Sequence, residues 1–304
     1  MKFSSVINPF GEELHYFGWG YIINQLKKTL CIEEDAPILH AFTDCTIFWG
    51  DKDRPLPLEP WVGFVHSAIK PQPGRQPGFC VDELINSQSF QNSLPYCKGL
   101  ITLTNHTKNY LQSKLEVPVY QLWHPKQKEN YFFDIDAYFD KPTLRHSGFE
   151  LRDVAKFFTC KTSLKKDLYI GHMHNYELIV SELRFHGVSP KACGITPIYE
   201  FLSNEQYIKT LTSTIGFAYY YDCAASNALL EHIVSHSPVV VNKIPPIVEY
   251  LGEDYPMYYE TISPNLDQYL LDKNFIQETS DYLKQRSQKK EFTIEYFCES
   301  INEL

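Results

Sequence analysis

The chain has 304 residues, 43% of them hydrophobic and 21% charged, with a formal net charge of −9. That length exceeds one ordinary core and points to two domains, and the acidic balance argues against a nucleic-acid binder, whose affinity comes from neutralising phosphates. The eight cysteines stand at least 14 residues apart, which excludes a Cys-x-x-Cys metal or redox pair and fits a reducing compartment. No apolar core of signal-peptide length opens the chain and no run approaches a membrane span, so a cytoplasmic protein is expected. Peripheral membrane contact stays open because 283–290 is locally basic.

Phe3 to Ile7 reads as a first strand. Gly18-Trp-Gly20 then precedes an amphipathic helix with Ile22, Ile23 and Leu26 on its apolar face. Glycines opening a helix after a strand let the backbone approach a ligand, which makes Gly18 and Gly20 candidates beside the plainer reading as a turn. Pro37 to Phe42 and Trp61 to His66 are further strands. His66 ends its strand before a loop rich in Pro, Gly and Gln, a position where α/β folds place site residues. A histidine merely hydrogen-bonded at a strand end is the other reading. Gly99 to Thr104 and Pro118 to Trp123 complete the set, with Asn105 or Thr107 capping the helix between them. These elements define a domain over 1–130. Residues 131–165 carry mixed charge and little periodicity, as an interdomain connection would, and 166–304 form a second domain.

Lys166 to Gly171 opens that second domain, followed by a helix bearing His172 and His174. Two residues apart on a helix, the histidines point to different sides, which argues against a metal pair. Ile215 to Tyr221 is a strand that halts at Asp222, with Ala224, Ala225 and Ser226 after it. Leu229 with Ile233 and Leu230 with Val234 then build one helical apolar face, while Asn227 and Glu231 share a polar one. Pro238 to Val241 is a buried strand, and Pro246 suits the start of a short helix that Gly252 ends. A helix N-terminus after small residues favours phosphate, and a carboxylate further along can accept hydrogen bonds from sugar hydroxyls. A solvated helix residue is the plain alternative for Glu231.

Glu231-His-Ile-Val-Ser-His-Ser-Pro238, with Asn242 to Gly252 and Glu249 within it, resembles the donor half of GT-B glycosyltransferases. The likeness is to the retaining group whose signature is Glu, seven residues, Glu. Cys223 stands at the place of the first glutamate, and Asp222 is the nearest carboxylate. The resemblance implies two Rossmann-like α/β domains facing a cleft. It implies a UDP- or GDP-linked sugar as donor, a glycan or other acceptor, no metal, and retention of configuration. Carried over, it puts Ser226 at the diphosphate, with Lys243 or His172 supplying charge and a basic residue expected near His172. Glu231 would hold the ribose diol, Asp222 or Asn227 the transferred sugar, and His66 would lie near the anomeric centre. A rival signal is the D-x-D form of metal-dependent transferases, present in Asp134-Ile-Asp136 and Asp51-Lys-Asp53. A nucleotide-sugar epimerase on the same fold and a non-catalytic sugar- or partner-binding protein also stay open.

Overall fold

The computed structural model describes residues 2–8, 18–30, 32–48, 56–73, 79–127, 130–171, 173–189, 195, 197–198 and 200–304. Two parallel sheets organise them. In the first, β1 (Val6–Ile7), β2 (Ile38–His40), β3 (Trp61–Val65), β4 (Cys97–Thr102) and β5 (Val119–Gln121) lie side by side in chain order. Their residues alternate between two apolar clusters. Leu39, Val62, Phe64 and Ile101 face Ile22, Ile23 and Leu26 of the helix Trp19–Thr29. Ile38, Trp61, Val65 and Leu100 face Val81, Leu84, Phe90 and Leu111. Both faces of the sheet are therefore covered, as a parallel sheet requires. Gly63 is needed for that packing. A Cβ there would stand 2.3 Å from Thr43 Oγ1 and 2.4 Å from the Trp61 ring.

The second sheet holds β6 (Thr143–Ser147), β7 (Lys165–Tyr169), β8 (Pro197–Ile198), β9 (Ile215–Ala218) and β10 (Val239–Val241), in the order β10-β9-β6-β7-β8. The chain starts in the middle, works outward to β8, then returns beside β6. The strand-order reversal falls between β6 and β9, where the loops after the two strands part and leave a crevice. This placement corrects the reading of 131–165 as connection. The central strand of the second sheet lies inside that stretch. Its sequence, Thr-Leu-Arg-His-Ser, carries no apolar run, because Arg145 and His146 are themselves buried, at 6% and 0% exposure.

The helix Asn227–Val234 follows β9 as its apolar spacing demands, with Leu229, Leu230, Ile233 and Val234 all buried. The helix Pro245–Leu251 ends at Gly252, whose φ of 95° lies in the region that favours glycine. Thr104, rather than Asn105 or Thr107, caps the helix Asn105–Gln112, its side chain accepting from the Thr107 N–H at 3.2 Å. The helix Ile294–Glu303 leaves the second domain and adds Phe297, Cys298 and Ile301 to the core around Ile22 and Leu26. Among the described residues, no helix is long and apolar enough to cross a membrane.

Polar bonds join the domains. The Tyr250 hydroxyl, fully buried, donates to the Leu103 carbonyl at 2.7 Å and accepts from the His124 N–H at 3.0 Å. Glu249 accepts from the N–H groups of Asn105 and His106 at 2.7 and 2.8 Å, capping a first-domain helix from the second domain. Removing the Tyr250 hydroxyl leaves a buried donor and a buried acceptor unpaired. Tyr250→Phe should therefore lower the unfolding free energy by roughly 1–3 kcal/mol in a urea titration. An unchanged midpoint would show that the domains are not held through this phenol.

Candidate active site

Residues just beyond the carboxyl ends of strands in both sheets line one cavity of about 740 Å³. The first domain contributes Phe42 after β2, His66 after β3, Leu103 after β4 and His124 after β5, together with Trp19 and Phe79. The second contributes Gly148 and Arg152 after β6, Gly171 after β7, Phe201 and Leu202 after β8, and Tyr220 and Ser226 after β9. The cleft lies where open parallel sheets place ligands, at the strand-order reversal.

Arg152 and Tyr220 meet at that reversal. The Arg152 guanidinium lies 5.1 Å from the Tyr220 ring centre, and its Nη2 is 3.5 Å from the Tyr220 hydroxyl. That hydroxyl is 2.7 Å from Ser226 Oγ, which caps the helix Asn227–Val234 by accepting from the Leu229 N–H at 3.3 Å. A fixed cation and a helix N-terminus are thus tied together by one phenol, an arrangement that suits an anion. Gly148 adopts φ +75°, and a Cβ there would come within 2.9 Å of Arg152 Nη1. Leu151 also sits at positive φ, 55°. Its N–H donates to Gln72 Oε1 of the first domain at 2.8 Å, so a residue across the cleft fixes the strained backbone that aims Arg152.

Of the residues singled out from sequence, His66, Ser226, Asn227 and Glu231 line the cavity. Glu231 is only 3% exposed and accepts from the Tyr207 hydroxyl, so it is not a solvated helix residue. His66 Nε2–H points to the Ala41 carbonyl at 3.3 Å, and the ring packs on Phe42 and Trp19 with centroids 4.0 and 4.4 Å away. Burial, with His124 beside it, holds the His66 pKa down to about 3, and burial holds His124 at about 4. Both imidazoles are neutral. Cys223 lines the cavity as well, its thiol pKa pushed up by burial.

Four expectations are corrected. Asp222 does not line the cavity. Its carboxylate accepts from the N–H groups of Ile69 (3.0 Å), Lys70 (3.1 Å) and Cys223 (2.9 Å) and lies 3.3 Å from His106 Nε2. It is a joint between the domains, both of its oxygens engaged by protein groups. Lys243 lies beyond β10, at the sheet edge and away from the strand reversal, and its ammonium pairs with the Glu253 carboxylate at 2.8 Å. Gly18 and Gly20 are absent from the cavity wall. Gly18 caps its helix at an ordinary φ of −70°, and the residue between the two glycines, Trp19, reaches the cleft. His172 lies outside the described residues, as do Asp51 and Asp53.

Asp134 caps the helix Ile135–Asp140 and Asp136 pairs with Lys273 at 2.6 Å; neither lines the cavity. Among the described residues, Asp153, Glu182 and His186 bring ligand-type atoms within 4.8 Å of one another. Those atoms serve a hydrogen-bond network. Glu182 accepts from the Val154 N–H at 3.1 Å, from the Tyr221 hydroxyl at 2.9 Å and from Gln72, and His186 Nε2 is 2.6 Å from that hydroxyl.

No family profile matches the sequence, and no curated protein matches it. Solved structures do. The chain superposes on TarM of S. aureus with a TM-score of 0.60 at 12% identity, over 93% of this chain and 57% of that one. It superposes on the sucrose-phosphate synthase of Thermosynechococcus elongatus with a TM-score of 0.60 at 10% identity, over 93% and 76%. The pneumococcal O-GlcNAc transferase GtfA, solved with UDP and GlcNAc, gives 0.53 at 12% identity, over 97% and 61%. The chain therefore has the GT-B fold, two parallel-sheet domains across a cleft. It spans well under two thirds of the length of TarM, at 57%.

The buried neutral histidines set a pH dependence. His66, His124, His146 and His232 have pKa values lowered, chiefly by burial, to about 3, 4, 3 and 4. A lowered folded value means that the unfolded chain takes up the proton first. The stability is fully present above an unfolded pKa of about 6.5 and is lost as pH falls toward the folded values. Unfolding free energy at pH 5.5 should be smaller than at pH 7 by roughly 1 kcal/mol for each buried imidazole. Equal urea midpoints at the two pH values would refute neutral burial.

Proposed function

We propose that the chain is a glycosyltransferase that moves a sugar from a UDP- or GDP-linked donor to an acceptor hydroxyl, without a metal and with retention of configuration. The observation that carries this reading is the Arg152–Tyr220–Ser226 chain, which sets a guanidinium and a helix N-terminus on one side of the cleft at the strand reversal. A nucleoside diphosphate placed there gains the cation and the dipole as its leaving charge develops. The C1–O bond to the diphosphate breaks with its electron pair leaving on phosphate. The acceptor oxygen bonds C1 from the same face, and its proton passes to the departing phosphate oxygen. That route uses no protein nucleophile, in keeping with a cleft in which Glu231 is held by Tyr207. Glu231 and Asn227, on the same helix, stand ready for the ribose and the transferred sugar, and the neighbours solved with UDP support the choice of ligand.

Calorimetry with UDP and GDP tests the donor site. Arg152→Met removes charged hydrogen bonds contributing roughly 1.5–3 kcal/mol each, so affinity for the preferred nucleotide should fall about 10–100-fold. Glu231→Gln keeps an acceptor for Tyr207 while losing the charge, and should weaken the same nucleotide by about tenfold. Wild-type protein that binds neither nucleotide, or Arg152→Met binding like wild type, would overturn the assignment. Donor turnover should also persist in EDTA. Activity lost to the chelator and restored by manganese would put a metal into the reaction.

A further inference from the structure

Arg152 lies in a short segment, Leu151 to Val154, that side chains tie at both ends. Gln72 Oε1 accepts from the Leu151 N–H at 2.8 Å, and Glu182 Oε1 accepts from the Val154 N–H at 3.1 Å. The two side chains also meet each other, Gln72 Nε2 donating to Glu182 Oε2. Between the ties Leu151 holds φ at 55°, a conformation a leucine keeps only when its surroundings impose it. Its carbonyl accepts from the Tyr221 N–H at 3.0 Å, which sets Arg152 opposite Tyr220. Gln72 comes from the first domain, is 4% exposed and does not line the cavity. Its place asks for one acceptor and one donor at the end of a single side chain, which an amide supplies. A carboxylate there would face Glu182, with Asp153 close by, and an apolar side chain would leave the Leu151 N–H without this acceptor.

Resting on the transferase reading above, we propose that Gln72 is a positioning residue that makes donor binding depend on the docking of the first domain. Undocked, the segment loses the acceptor that holds Leu151 at positive φ, and Arg152 is no longer fixed beside Tyr220. Donor affinity then falls in proportion to the fraction of molecules that keep the segment in place. By reciprocity, a bound nucleotide tightens the docking of the two domains by the same factor.

Two measurements test this: calorimetry with UDP and GDP, and amide hydrogen exchange over 151–154 recorded without nucleotide. Gln72→Glu keeps an acceptor for Leu151 but turns a carboxylate toward Glu182. It should weaken the better-bound nucleotide about tenfold and speed exchange of the segment about tenfold. The double variant Gln72→Glu/Glu182→Gln exchanges donor and acceptor across the same pair. Both quantities should return to within about threefold of wild type, a rescue that general damage to the fold would not show. In an Arg152→Met background, Gln72→Glu should cost less than about twofold in affinity, because its effect passes through Arg152. Gln72→Glu binding like wild type, a double variant no better than the single, or an undiminished loss in the Arg152→Met background would overturn the proposal. Failure of the wild type to bind UDP and GDP would instead remove the transferase reading. The exchange rates would then decide alone whether Gln72 holds the segment, and equal rates in wild type and Gln72→Glu would refute it.

Discussion

One buried carboxylate fixes the relation of the two walls. Asp222, at 4% exposure, takes peptide N–H groups from Ile69, Lys70 and Cys223. Ile69 and Lys70 belong to the segment that carries His66, and Cys223 begins the turn that carries Ser226 to its capping position. A charge withdrawn from water has to be met by several donors, and these come from both domains. The opposite flank repeats the device with Glu249 on the helix Asn105–Gln112. Gln72 adds a third tie at Leu151, beside Arg152. The cleft is thus framed by second-domain carboxylates and one first-domain amide, all acting on backbone. Such contacts hold position without depending on which side chains surround them.

Much of this architecture was legible where local pattern and tertiary role agree. The four-residue spacing of Leu229, Leu230, Ile233 and Val234 marks a helix, and all four are buried in it. Gly252 stops a helix because only glycine takes its φ of 95° without strain. The legible strands are apolar on both faces, as buried parallel strands are. What stayed hidden is what depends on distance along the chain. Nothing near Asp222 discloses partners 153 positions away, so a carboxylate at a strand end looks like a sugar ligand when it is a joint. β6 escaped notice because Arg145 and His146 break its apolar run while lying inside the protein. Losing that strand also conceals Arg152, a cation of the cleft, where the resemblance looks to Lys243 or His172 for charge.

Among the described lining residues, the charged side chains Glu150, Arg152 and Glu231 all lie on the second-domain wall. The second-domain wall offers a helix N-terminus and a guanidinium, and the first-domain wall, among the described residues, offers Trp19, Phe42, His66, Phe79 and His124. Fixed charges act more strongly in such surroundings than in water, and they need no rearrangement when charge appears. The exposed ring of Phe201, at 78%, stands at the rim of this enclosure, where a bound ligand would cover it.

The helix Ile294–Glu303 has a consequence for biosynthesis. It completes the core around Ile22 and Leu26, and Asn302 bonds to the Thr29 carbonyl across 273 positions of sequence. The core of the first domain is therefore completed by residues made after the second sheet, and one face of the helix Trp19–Thr29 is covered only when that later helix is in place. Domains that finish folding in order of synthesis need no such delay. Here an early helix keeps its apolar face uncovered until a much later one is made.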